Sequence, residues 1–162
     1  MKEITQTISF TELNDQGELP AKFQLLLSKA KQAIDHAYAP YSRFKVGAAV
    51  LLANDEIITG SNQENASSPV GICAERVALA AASSRYPYVA IIALAVTAKT
   101  NEHPVLEPVS PCGICRQSIL EYEQRFKNDI EIILQGEAGK IFLISSVKHL
   151  LPLHFSRDNL VR

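Results

Sequence analysis

The chain contains only three cysteines, Cys73, Cys112 and Cys115, and Glu75 stands two residues beyond the first of them. Three thiolates can hold a zinc ion and leave one tetrahedral position open. Structural zinc almost always takes four protein ligands, whereas hydrolytic zinc keeps a place for water. Water at such a position ionises near neutral pH and needs a nearby base to carry its proton. Glu75 is placed to be that base, so the residues point first to a zinc hydrolase with one Zn2+ per chain. Two other readings of Cys112-Gly113-Ile114-Cys115 stand beside it on residues alone. A redox pair leaves Cys73 unexplained, and half of a four-ligand structural site needs a histidine. His36, His103, His149 and His154 are isolated, and none lies at ligand spacing from a cysteine.

Two helix starts must deliver these thiols. One helix should begin at or near Cys73 and run through the alanine-rich stretch to Ser84, with Pro87 as its stop. Another should run from about Cys112 to Phe126, with Ile119, Leu120, Tyr122 and Phe126 as candidates for its apolar side. Cys112 and Cys115, three apart, then share one face, and the N–H groups at both helix starts favour ionised thiols. Three thiolates on one Zn2+ leave a formal charge of about −1. Arg76 is the candidate to temper it by donating hydrogen bonds to the sulfurs, although helix phase alone reads Arg76 as a surface charge.

The remaining elements supply the frame. Pro20 opens a helix in which Phe23, Leu26, Leu27, Ala30, Ala33, Ile34, Ala37 and Tyr38 recur at helical spacing as far as Pro40. Residues 46–53 and 56–61 read as strands joined by a tight turn at Asn54-Asp55, and the apolar run 89–97 suits a strand covered on both faces. Residues 99–111 carry three prolines and read as an extended loop. Strands at 130–134 and 140–144 and a short helix at 146–150 complete the order α-β-β-α-β-α-β-β-α. That order predicts a three-layer α/β/α fold around one mixed five-stranded sheet. Residues 3–13 alternate weakly, as either an extra edge strand or an ordered tail, so the expected division is an N-terminal extension 1–20 and one domain 21–162.

Composition narrows the function classes. At 162 residues and 47% hydrophobic, the chain can close a single core. A net charge of −1 without basic runs gives no electrostatic footprint for nucleic acid. No apolar stretch approaches the ~20 residues of a membrane span, so no membrane partner is expected. The first eleven residues lack a signal-peptide pattern, and an odd cysteine count argues for a reducing, cytoplasmic setting.

Five ordered blocks carry a family resemblance: AYAPYSRFKVGAAV (37–50), GSNQENAS (60–67), CAERVAL (73–79), SPCGICRQ (110–117) and LLPLHF (150–155). The chain resembles the cytidine deaminases, in particular their small three-cysteine, homotetrameric class. The resemblance implies a cytidine deaminase-like fold and zinc-dependent hydrolysis of cytidine and deoxycytidine to uridine and deoxyuridine plus ammonia, in pyrimidine salvage. It makes Cys73, Cys112 and Cys115 the zinc ligands and Glu75 the shuttle that takes a proton from water, passes it to N3 of the base and later protonates the departing amine. Asn62 and Glu64 match the ribose-binding Asn-x-Glu signature, Phe44 the aromatic against the pyrimidine, and Ala74 N–H and the Ser110 carbonyl the backbone contacts to the base. Phe155 matches an aromatic that reaches a neighbouring subunit's site.

The chain departs from the family pattern at Ser68-Pro69, where members often carry an aromatic, and in a longer 99–109 loop. Blasticidin S deaminase shares the Cys-Ala-Glu and Pro-Cys-Gly-x-Cys-Arg blocks but lacks Asn-x-Glu, so Asn62 and Glu64 favour a nucleoside. Deamination within a polynucleotide usually accompanies a His-x-Glu ligand motif and a basic surface.

Overall fold

The computed structural model describes residues 1–160. Its strands are β1 (Thr11–Leu13), β2 (Phe44–Leu52), β3 (Ile57–Ser61), β4 (Ile91–Thr100), β5 (Glu131–Gln135) and β6 (Ile141–Ile144). They form one sheet in the order β1-β6-β5-β4-β2-β3. Its one parallel pair is β4 with β5, and the connection between them is the helix that carries two of the cysteines. Such a crossover is what a parallel pair requires.

Alternation along β2 explains the layering. Val46, Ala48, Val50 and Leu52 face one side of the sheet, while Ala49 and Leu51 face the other. Helix α1 (Ala21–Ala33) lays Phe23, Leu26, Leu27 and Ala30 against the second side, with Ala93, Ala95 and Ile133 from the neighbouring strands. Helices α2 (Ala74–Arg85) and α3 (Gly113–Phe126) cover the first side through Ala78, Leu79, Ala82, Ile119 and Leu120. The expected three-layer α/β/α arrangement is therefore present, with apolar residues on both faces of the central strands. Two glycines permit the close approach of helices to strands. A Cβ at Gly47 would overlap the Ala30 carbonyl, and one at Gly60 would stand 2.5 Å from both the Ala74 oxygen and the Ala78 nitrogen.

The sheet has six strands rather than the five expected. Residues 11–13 pair antiparallel with β6, from Thr11 opposite Leu143 to Leu13 opposite Ile141. The Phe10 ring lies 4.6 Å from that of Phe142, and Lys140 Nζ meets Glu12 at 2.6 Å. A three-residue strand is too short to write a clear period-two pattern. Its partner edge nevertheless presents unpaired N–H and C=O groups, and pairing satisfies them. The first helix also ends earlier than Pro40. After Ala33 it tightens into a 3-10 turn at Ile34–His36, and Tyr38 leaves the helix to form a bridge with Gln63. Among the described residues no helix is long and apolar enough to cross a membrane.

Candidate active site

Two helices begin on a cysteine. Cys73 is the N-cap of α2 and Cys112 the N-cap of α3, both with extended backbone, and Cys115 lies in the first turn of α3. Neither N-cap side chain makes a capping hydrogen bond to its helix backbone, so both sulfurs face one another and Cys115 instead. The first-turn N–H groups of each helix lack intrahelical acceptors and present positive ends to the thiols. Cys73 Sγ lies 3.9 Å from Cys112 Sγ, Cys112 Sγ lies 3.5 Å from Cys115 Sγ, and all three fall within 4.8 Å of one another. Tetrahedral zinc with Zn–S bonds of about 2.3 Å spaces its sulfurs at about 3.8 Å. The donor set thus fits one Zn2+. Cys115 is buried, Cys73 half-buried and Cys112 exposed, so the cluster opens on one side.

The thiols are electrostatically unequal. Cys73 is pulled down to about 6, chiefly because the Cys115 thiol donates to it, with Cys112 and the charge of Arg76 adding to the effect against burial and Glu75. Cys115 is pushed up as the donor in that pair, and burial and Glu75 push it further. Glu75 itself is only 4% exposed. Burial raises its carboxyl, opposed by hydrogen bonds from its own backbone N–H and from the Cys115 thiol. A buried carboxyl in contact with the sulfur cluster, pushed upward by its burial, is placed to take up and hand on a proton.

Beside Cys73 opens a cleft of about 500 Å3 whose walls include Tyr41, Ser42, Asn62, Glu64 and Ser68. Asn62 and Glu64 lie just beyond the end of β3, and both line this cleft. The Glu64 carboxylate accepts from Tyr41 N–H at 2.8 Å and Ser42 N–H at 3.3 Å. The Ser42 hydroxyl first, and these N–H groups with it, hold Glu64 below the usual carboxylate range. Asn62 is occupied differently. Its Oδ1 accepts from Val46 N–H at 2.8 Å and its Nδ2 donates to the Phe44 carbonyl at 2.9 Å, so the side chain extends the ladder of β2.

The other expected site residues are spread around this centre. Ala74 is fully buried in the first turn of α2. Phe44, at the start of β2, shares by alternation the sheet face that α2 and α3 cover, although it is not part of the cleft wall. Arg76 is half-buried and acts on Cys73 through its charge. Phe155 is exposed and lies outside the cleft of its own chain, with its carbonyl accepting from Gln117 Nε2 at 3.0 Å. Ser68, the departure from the family pattern, falls in the cleft wall.

Two side chains on α3, one beside the cysteines and one farther along the helix, escaped sequence reasoning. Arg116 donates from Nε to the Pro111 carbonyl at 2.8 Å and from Nη1 to the Leu150 carbonyl at 2.7 Å. Its signal was its place directly after Cys115. Glu123 is buried in α3 and accepts from Ile130 N–H, Val147 N–H and the Ser146 hydroxyl. A charge on the stripe of Ile119 and Leu120, at helical spacing, was its signal.

Residues 20–127 match the cytidine and deoxycytidylate deaminase zinc-binding region. The chain is 41% identical over 137 residues to the cytidine deaminase of Halalkalibacterium halodurans, covering 85% of this chain and 96% of that one. It is 39% identical to the cytidine deaminase of Sporosarcina psychrophila, over 83% of this chain and 92% of that one. The crystal structure of cytidine deaminase from Burkholderia pseudomallei superposes with a TM-score of 0.70 at 38% identity, covering 81% of this chain and 97% of the other. With two thirds of its length inside the matched zinc-binding region, and relatives aligned nearly end to end, the chain belongs to the cytidine and deoxycytidylate deaminase family.

Proposed function

We propose that the protein hydrolyses cytidine and deoxycytidine to uridine and deoxyuridine with release of ammonia, using one Zn2+ per subunit. The observation that carries this reading is the meeting of three sulfurs, a buried carboxyl and a cleft bordered by Asn62 and Glu64 at one place. Bound zinc supplies Lewis acidity and water ionised near neutral pH. Glu75 would accept one proton from water, hold it in its buried setting and deliver it to N3 of the base, then take the second proton from the hydroxyl newly bonded to C4 and pass it to the amine, so that C4=O forms as ammonia leaves. Protonation at N3 matters because neutral cytosine is a poor electrophile at C4. Ala74 N–H, at the positive end of α2, and the Ser110 carbonyl hold the base. Phe44 packs against the pyrimidine, and Arg76 offsets the negative balance of three thiolates.

The sugar is read by Glu64 and Asn62. Glu64 keeps lone pairs beyond those used by Tyr41 and Ser42, and Asn62 keeps one N–H beyond its bond to Phe44. Among the described residues the cleft wall includes this carboxylate and no lysine or arginine, which suits a free nucleoside and disfavours a 5′-phosphate or a polynucleotide. Phe155, exposed in a single chain, completes the site of a neighbouring subunit in a homotetramer. A cytoplasmic role in pyrimidine salvage follows from the substrates and the free thiols.

Ultraviolet absorbance distinguishes cytidine from uridine, so purified zinc-loaded protein decides the matter directly. Turnover of cytidine and deoxycytidine, with one zinc per subunit, is expected. Zinc-bound protein inert toward both, or preferring blasticidin S, would overturn the reading.

A further inference from the structure

We propose that Arg116 is a positioning residue that latches the loop bearing Cys112 to the C-terminal segment bearing Phe155, and so sets the geometry of the metal ligands. The inference rests on Cys112 being a zinc ligand. The guanidinium bridges two main-chain carbonyls, Pro111 at 2.8 Å and Leu150 at 2.7 Å. Pro111 is buried and immediately precedes Cys112, whereas Cys112 itself is exposed, and a Cβ on its neighbour Gly113 would meet nothing within 4 Å. Cys112 thus receives little packing support on that side, and the bond from Arg116 to Pro111 is what ties the chain just before it to α3. The Leu150 bond anchors the other end, and the adjacent Gln117 holds the Phe155 carbonyl at 3.0 Å.

The two arginines near the sulfurs therefore divide their work. Arg76 acts on Cys73 by charge, whereas both hydrogen bonds of Arg116 go to carbonyls and none to sulfur. Guanidinium hydrogen bonds are charge-assisted, and the planar fork fixes direction as well as distance, which a lysine cannot reproduce at both carbonyls. Loss of an outer-shell partner of a metal ligand typically costs roughly 10- to 100-fold in metal affinity or activity.

The test uses zinc-loaded full-length protein, with zinc release followed by a chromogenic chelator and ligand geometry read from the absorption bands of the cobalt-substituted form. In Arg116→Gln, zinc release about tenfold faster and shifted cobalt bands are expected, and Arg116→Lys should fall between it and the wild type. Gln117→Ala, which frees only the Phe155 carbonyl, should raise KM without hastening zinc release. Release rates and cobalt bands unchanged in Arg116→Gln would overturn the proposal, as would a lowered melting temperature as the sole effect. If Arg116→Gln does not fold, the same measurements on Arg116→Lys decide. A wild type that binds no zinc refutes the proposed function instead, so the two failures are distinct.

Discussion

Replacing Glu123 separates hydrogen-bond pattern from charge in the core behind the site. Its Oε1 accepts from Ile130 N–H and Val147 N–H, each at 3.0 Å, and its Oε2 accepts from the Ser146 hydroxyl at 2.9 Å. Ile130 is 1% exposed, Val147 fully buried and Ser146 5% exposed, so water reaches these donors poorly. Glu123→Ala strands all three. Each unsatisfied buried group costs about 1–3 kcal/mol, so partial relief by an entering water leaves an expected loss of about 3–5 kcal/mol. For a domain of this length that lowers Tm by about 6–20 °C. Glu123→Gln behaves differently, because an amide oxygen can still take both N–H groups. Its NH2 can donate to the serine oxygen, which has lone pairs for it and for the Lys148 N–H at 3.3 Å. The loss is then about 1 kcal/mol, the difference between charge-assisted and neutral bonds. Thermal and urea denaturation of zinc-loaded protein, followed by circular dichroism, measure both variants. Equal destabilisation by Gln and Ala would refute the hydrogen-bond account, and a cost below about 1 kcal/mol for Ala would refute the cross-link itself.

Glu75→Gln should keep zinc bound while turnover falls by about 10²–10⁴-fold or more, since the proton carrier is lost and the ligands are untouched. Loss of metal together with activity would assign Glu75 to holding the site. Gly60→Ala places a Cβ 2.5 Å from the first turn of α2, so zinc affinity and melting temperature should both drop. Unchanged values would mean that α2 yields without disturbing Cys73. Phe155→Ala should leave monomer stability nearly untouched, because the side chain is exposed in a single chain, yet raise KM several-fold. An unaltered KM would remove Phe155 from the neighbouring site.

The metal-bearing half of the fold was legible because its cues are local. Pro87 stops α2 as expected, and the starts expected at Cys73 and Cys112 fall one residue from the observed helices. What escaped was set by partners remote in sequence. β1 exists because β6, about 130 residues later, offers an open edge. Asn62 reads as a polar loop residue until β2 folds beside it and takes both of its amide atoms. Arg116 was not legible beside the cysteines, since helix phase does not tell a guanidinium that meets two main-chain carbonyls from a surface charge. The closeness of Gly60 to α2 leaves no trace in composition, because a glycine has no side chain whose character could announce its neighbours.

The amide of Asn62 has a consequence for anyone who would redesign sugar preference. The residue proposed to greet the ribose is also mortar in the wall, bonded to Phe44 and Val46. Asn62→Asp would set an oxygen against the Phe44 carbonyl, and smaller residues would orphan the Val46 N–H. Selection for a new sugar therefore meets resistance from folding at this position. Glu64, whose bonds reach only the loop residues Tyr41 and Ser42, is the side of the cleft where evolvability resides.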